Sequence, residues 1–425
     1  MTCDTWDDFS KRSPKYIKGQ CQRFWNTFSK TNLREATLWK WLREDNPDAY
    51  ISLSTQREDF WSIIFNPSHA EVAHFFYNLK PNSYMWHPDL HWYAITPSNI
   101  WQHYNSQPSG LMNDIWETFR PLIREHTAQL DLTVSDQTDQ GKKIKNKLNA
   151  ALKFNKLSGD SRFAKGVMDY LPYNYYVADL DTKMDESRHL FAFSDSVWDF
   201  NLNKIRPITP DDYISINTGY PYPHTISPTD LHNTMTFIRS VFEPTDATTP
   251  SDTTQSVLRA IADKMNGNRR FQEFYILTGL GGNGKGLLRN LISRAFGQYY
   301  QEASHQVFTK VQDKQNSHSP EMALAKGKRI LMVSEPDASD FLQVSILKQY
   351  TGNDIINARA PYARKPISYR AQFAPFIQCN QKPKLSKADG GVGRRVRVVM
   401  FPYQFKPHPD PTNIVTGKQI GRAHV

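Results

Sequence analysis

Eight residues in the last third of the chain, Gly279-Leu280-Gly281-Gly282-Asn283-Gly284-Lys285-Gly286, combine a backbone free to turn inward with one lysine. An apolar run, Phe274 to Thr278, leads into them, and a helical pattern from Leu287 to Phe296 leads out. In a strand–loop–helix context, successive backbone N–H groups can surround a phosphate. The helix N-terminus adds partial positive charge, and a lysine reaches the outer phosphates. Gly279, Gly281, Gly282, Asn283, Gly284, Lys285 and Gly286 are therefore the candidate nucleotide contacts, with ATP and Mg²⁺ as the expected ligands. One position departs from the usual pattern. The residue after the lysine is normally Ser or Thr, whose hydroxyl ligates Mg²⁺; Gly286 has none, so either water could fill that place or metal binding is weaker and hydrolysis slow.

Three further groups follow in order. The apolar run Arg329 to Val333 ends in Ser334-Glu335-Pro336-Asp337. Glu335 is placed to activate water and, with Asp337, to help hold Mg²⁺. A second run, Phe373 to Cys379, ends in Asn380, whose amide could orient the attacking water. Arg394 and Arg395 precede the run Val396 to Met400, where an arginine can act on a neighbouring subunit's ATP. Between Ser345 and Phe405 there are eleven Lys or Arg residues and two acids, Asp354 and Asp389. Within this stretch 355–371 reads as a hairpin with Tyr362, Arg364 and Lys365 near its tip, a combination that can stack on bases and grip phosphates of single-stranded DNA.

The elements that must position these residues read as strand, glycine loop, helix, strand, helix, strand, an α/β domain with a largely parallel sheet whose chemistry sits at the carboxyl ends of the strands. Upstream, 1–65 reads as a small helical unit, with a helix from Asn32 to Arg43. Residues 70–228 read as a mixed α/β domain with an aromatic core and a basic helix carrying Lys142, Lys143, Lys145, Lys147, Lys153 and Lys156. The basic helix reads first as a solvated face, with a DNA contact as the alternative. A helix and Pro/Thr/Asp/Ser-rich linker span 229–255, where the main boundary is expected, and the ATPase domain spans 256–405.

A net charge of +10 over 425 residues favours a polyanionic partner. No apolar run is long enough for a membrane span, and the N-terminus lacks a secretory pattern, so an intracellular place without a membrane is expected. Cys3, Cys21 and Cys379 form neither a disulfide framework nor a zinc pattern.

In this order the motifs resemble a superfamily 3 helicase, specifically the primase-helicase type of poxviruses, other large DNA viruses, virophages and phages. The resemblance runs over about 229–405. Gly279 to Gly286 is similar to the first motif, Arg329 to Asp337 to the second, Tyr350 through Arg359 to the start of the DNA-hairpin motif, Phe373 to Pro383 to the polar sensor, and Asp389 to Phe401 to the arginine-finger segment. More weakly, Trp6 to Trp25 resembles a segment that follows a primase domain. The resemblance implies a P-loop NTPase core of the AAA+ kind and a homo-hexameric ring with ATP between subunits. It also implies single-stranded DNA in the channel, with Arg359, Tyr362, Arg364 and Lys365 contacting it, 3′ to 5′ movement, and partnership with other replication proteins in host-cell cytoplasm or at a viral replication site. The primase catalytic domain is expected to be absent, since Asp179 and Asp181 have no supporting acid or histidine. Both ends read as cut. Residues 406–425 form a tail whose last six, Ile420 to Val425, translate ATCGGAAGAGCACACGTC, which resembles a sequencing-library adapter. Two alternatives stand beside the motor: a DNA-binding or scaffolding protein that does not hydrolyse ATP, for which Gly286 speaks, and a P-loop phosphotransferase, for which the basic stretch has no use.

Overall fold

The computed structural model describes residues 60–104, 109–244, 251–268, 271–309, 320–336, 340–359, 366–386 and 390–408, with short pieces at 7, 10–11, 18, 21–23 and 418–419. The expected helix from Asn32 to Arg43 lies outside them, as do Asp337, Tyr362, Arg364, Lys365, Asp389 and Ile420 to Val425.

The chain divides into two compact units, 1–79 with 108–171 and 80–107 with 172–425. The division does not coincide with the expected boundary at 243–256, which falls inside the second unit. The reason is a buried carboxylate. Glu243 is 2% exposed and accepts from Ser251 N (2.8 Å), Thr254 Oγ1 (2.5 Å) and Arg239 Nε (2.8 Å). It therefore ties the residues on both sides of the Pro- and Thr-rich stretch together. A group so satisfied is expensive to expose.

The first unit is helical: α1 (His69–Leu79), α2 (Ser109–Ala128), α3 (Asp139–Ser158) and α4, which starts at Ser161. Thr138 caps α3 by accepting from Gly141 N at 3.0 Å. Phe119 of α2 and Phe154 of α3 meet edge to face at 5.5 Å.

The second unit opens with two antiparallel sheets of three strands, β1 (Tyr84–His87), β2 (His91–Ile95) and β3 (Trp101–His103), then β4 (Leu190–Ala192), β5 (Val197–Asp199) and β6 (Lys204–Arg206). Helices α5 (Pro228–Phe242) and α6 (Asp252–Asp263) follow. The centre is a five-stranded sheet of β7 (Phe274–Thr278), β8 (Tyr300–Ala303), β9 (Ile330–Val333), β13 (Ala374–Cys379) and β15 (Val396–Met400). Their order is β15-β7-β13-β9-β8, and every pairing is parallel. The chain is thus an α/β protein with a parallel sheet.

All residues of β7 and β9 are buried, as expected of strands covered on both faces. On one face α7 (Lys285–Phe296) lays down Leu288, Ile292 and Phe296, spaced one helical turn apart, on Tyr275, Leu277, Met332 and Phe376. On the other, α8 (Val344–Thr351) packs Leu347 and Tyr350 on Leu331, Val333 and Ile377. Each such side chain stabilises by about 1.5–3 kcal/mol relative to exposure. The remaining strands are β10 (Phe341–Leu342), β14 (Lys384–Leu385) and the antiparallel pair β11 (Ile355–Ala358) and β12 (Ile367–Arg370). That pair is the expected hairpin.

Candidate active site

The glycine loop joins the carboxyl end of β7 to the first turn of α7. Two of its glycines are there for space and backbone sign. Gly279 has φ +154°, and a Cβ on it would stand 2.5 Å from Phe401 O; Gly284, at φ +86°, would strike Val241 Cγ2 at 2.9 Å. Any other residue at either position would force the loop open. Gly286 is different: a Cβ there meets nothing within 4 Å.

Parallel strand order does the rest. Because β13 lies between β7 and β9, its end stands between the ends of both. Asn380, just past β13, therefore stands between Lys285 and Glu335. Lys285 is 4% exposed, and its Nζ donates to Gly279 O (2.5 Å), to Asn380 Oδ1 (3.3 Å) and to Leu280 O (3.4 Å). Asn380 in turn donates from its backbone N to Glu335 Oε1 (2.7 Å) and from Nδ2 to Oε2 (3.2 Å). Only this orientation of the amide satisfies an ammonium on one side and a carboxylate on the other. Three residues from three distant points of the chain form one hydrogen-bonded line. Burial pushes the Lys285 ammonium below the ordinary lysine range, and the Glu335 carboxylate pulls it back up.

A cleft of about 340 Å³ opens beside this line, bounded by the glycine loop, Gln378, Asn380 and Phe405. Inside it Asn283 is 3% exposed, and its Nδ2 has no acceptor. Leaving such a donor unsatisfied costs about 1–3 kcal/mol, and a phosphate oxygen would supply what it lacks. The loop is tied from the far side by Phe405 N, which donates to Gly282 O (2.7 Å), and by Gln404 Nε2, which donates to Gly281 O (2.8 Å). Sequence reasoning missed Gln378, Gln404 and Phe405. The signal was available for the last two: β15 runs parallel to β7, so the residues after it emerge at the same edge as the glycine loop. A larger cavity of about 690 Å³ lies between α6 and the sheet, lined by Val257, Tyr275, Leu288, Phe376 and Val399. It is mostly apolar, and its lining includes neither the glycine loop nor Lys285, Glu335 or Asn380.

The two arginines lie elsewhere. Both precede β15, whose first residue pairs with the first residue of β7. They therefore sit at the sheet edge opposite the glycine loop, about 16 Å away along five residues of strand, and cannot reach Lys285 of their own chain. Arg394 is exposed, with a 3.3 Å bond to Gln272 Oε1. Arg395 is 9% exposed and turned inward, donating to Gly391 O (3.0 Å) and Gln272 Oε1 (2.6 Å). Arg359 follows β11 at the base of the hairpin, partly buried. The described residues hold no cluster of three or more His, Cys, Asp or Glu side chains that could bind a metal.

Residues 73–264 match the family described as D5 N terminal like. A protein of Acanthamoeba polyphaga mimivirus named as a candidate helicase, L207/L206, is 27% identical over 99% of this chain and 44% of its own length. Its counterpart 184R of Invertebrate iridescent virus 6 is 21% identical over 98% of this chain and 48% of its own. Residues 73–264 thus resemble the D5 N-terminal-like family, and nearly the whole chain is similar to proteins of large DNA viruses named as candidate helicases. The chain spans about half the length of the curated relatives it matches. Among solved structures, the C terminal region of NrS-1 is similar at a TM-score of 0.33 and 14% identity, over 50% of this chain and 44% of that one. No helix among the described residues is long and apolar enough to cross a membrane.

Proposed function

We propose that the second unit is a P-loop NTPase core of the AAA+ kind that hydrolyses ATP to drive a viral or phage replication helicase along single-stranded DNA. The observation that carries this reading is the Lys285–Asn380–Glu335 line beside a glycine cleft holding an unsatisfied donor. Lys285 exchanges its bonds to Gly279 O and Leu280 O for phosphate oxygens. Asn283 Nδ2 and the loop N–H groups take the remaining phosphate oxygens. Glu335 removes the proton from the attacking water, and Asn380 keeps the carboxylate aligned with it. Glu335, with Asp337 as a further candidate, would hold Mg²⁺, which would supply neutralisation of the phosphate charge. Arg394, on the opposite edge and exposed, serves the ATP of a neighbouring copy in a ring, a homo-hexamer in this reading. Arg395 braces that edge from within. The β11–β12 hairpin, with Arg359, Tyr362, Arg364 and Lys365, holds DNA. The protein then works with other replication proteins inside the infected cell.

The deciding experiment is ATP hydrolysis by the purified chain in Mg²⁺, with and without single-stranded DNA, beside Lys285→Ala. DNA-stimulated turnover that the substitution abolishes is expected. Equal turnover in both proteins would sink the assignment. A second reading, a DNA-binding replication protein that binds ATP without hydrolysing it, is favoured by the missing hydroxyl at Gly286; nucleotide binding without turnover in either condition would establish it.

A further inference from the structure

The first unit carries a concentration of charge that the motor reading leaves unused. Helix α3 contains six lysines and one acid, Asp139. Its buried face, with Ala151, Phe154 and Ser158, packs on α2. Its exposed face bears Lys142, Lys145, Asn149, Leu152, Lys153 and Lys156, which recur every three or four residues and so form one stripe. From Lys142 to Lys156 that stripe is about 21 Å long at 1.5 Å per residue. Lys145 is paired with Asp136 at 2.7 Å, and Lys142 lies 3.8 Å from Asp139, both pairs largely exposed; exposed pairs of this kind hold their charges weakly. Lys153 and Lys156 have no acidic partner among the described residues. Arg162 and Lys165, exposed on α4, continue the positive charge beyond the helix end.

We propose that the α3 stripe is a docking surface for the phosphate backbone of duplex DNA, separate from the single-strand contacts of the hairpin. Two features select this partner. The charge is arranged as a straight row, which matches a rigid polyanion rather than a point ligand. The row carries no aromatic side chain, and single-strand binders stack bases on aromatics as well as gripping phosphate. Contact of this kind is independent of base sequence and of nucleotide. It would place duplex on the helical unit while the second unit handles the separated strand.

The test is fluorescence anisotropy of the full chain with labelled duplex and with single strand of the same length, without nucleotide, across a salt series. The variants carry Lys142, Lys153 and Lys156 all changed to Gln, or all changed to Arg. For the Gln variant the log–log salt slope for duplex should fall in magnitude by about 2.7, at about 0.9 per phosphate neutralised, with affinity down by roughly two orders of magnitude near 0.1 M salt. Single-strand binding and the melting midpoint should stay put, and the Arg variant should behave as wild type. An unchanged duplex slope in a Gln variant that melts normally would overturn the proposal. So would equal losses for duplex and single strand, or an Arg variant as weak as the Gln one. None of these outcomes depends on whether the glycine loop hydrolyses ATP.

Discussion

Restoring a hydroxyl at position 286 is the sharpest perturbation the site offers. Gly286 sits in the first turn of α7, and a Cβ there meets nothing within 4 Å. Its φ is not among the positive ones, so Gly286→Ser fits the backbone without strain. On propensity alone Ser is better than Gly in a helix by about 0.5 kcal/mol, so the variant should melt no lower than the parent. The larger effect is on the metal. Replacing a coordinated water by a preorganised hydroxyl on a charged centre is worth about 1.5 kcal/mol at the low end for bonds to charged groups, close to tenfold in affinity. The Mg²⁺ concentration giving half-maximal ATP hydrolysis should accordingly fall about tenfold, measured by phosphate release at saturating ATP over a Mg²⁺ series. A variant that folds, melts at or above the parent temperature and shows the same Mg²⁺ half-point would refute the reasoning, because the hydroxyl would then not face the metal.

Other expectations follow from the same geometry. Asn380→Ala breaks the line between Lys285 and Glu335 and should lower hydrolysis about 10²-fold while leaving nucleotide affinity nearly intact; single-turnover hydrolysis beside nucleotide titration separates the two effects. Arg394→Ala should leave the melting midpoint unchanged yet lower hydrolysis about 10³-fold, whereas Arg395→Ala removes a buried group and should cost about 1–3 kcal/mol of stability by denaturant unfolding. Lys285 gives a pH signature. Burial lowers its pKa in the free chain and phosphate raises it on binding, so below the lowered value affinity is flat. Above that value binding takes up a proton and affinity falls by up to about tenfold per pH unit. By the same sign the unfolded chain binds more protons in this alkaline window, so the Lys285 contribution to stability rises with pH there. Calorimetry in two buffers of different ionisation enthalpy should show the uptake in the wild type and none in Lys285→Met.

Much of the central sheet could be read from the sequence, since β7, β9, β13 and β15 are short, mainly apolar runs. Their common direction followed from the intervening helices, and with it the convergence of Lys285, Glu335 and Asn380 at one edge. What stayed hidden depended on lateral neighbours. Nothing in the run Gly393-Arg394-Arg395 says that one guanidinium faces solvent and the next turns in toward Gln272. Glu243 looked like the start of a linker because its partners, Ser251 and Thr254, are themselves residues typical of linkers. Gln404 and Phe405 carry no motif; they matter only because the edge strand delivers them over the glycine loop.

The position of β13 constrains how the hairpin can move. It is hydrogen-bonded on both flanks, to β7 and to β9, and begins four residues after the hairpin ends at Arg370. A slip of one residue would turn Phe376 and Ile377 to the opposite faces of the sheet, so the strand cannot work as a piston inside a fixed core. Gln372, between hairpin and strand, is itself buried and bonded to Arg329 and to Asp185 O. The hairpin is therefore bolted to its own core like a tooth to a gear wheel, and in the proposed ring a stroke against DNA would come from the turning of a whole subunit relative to its neighbours.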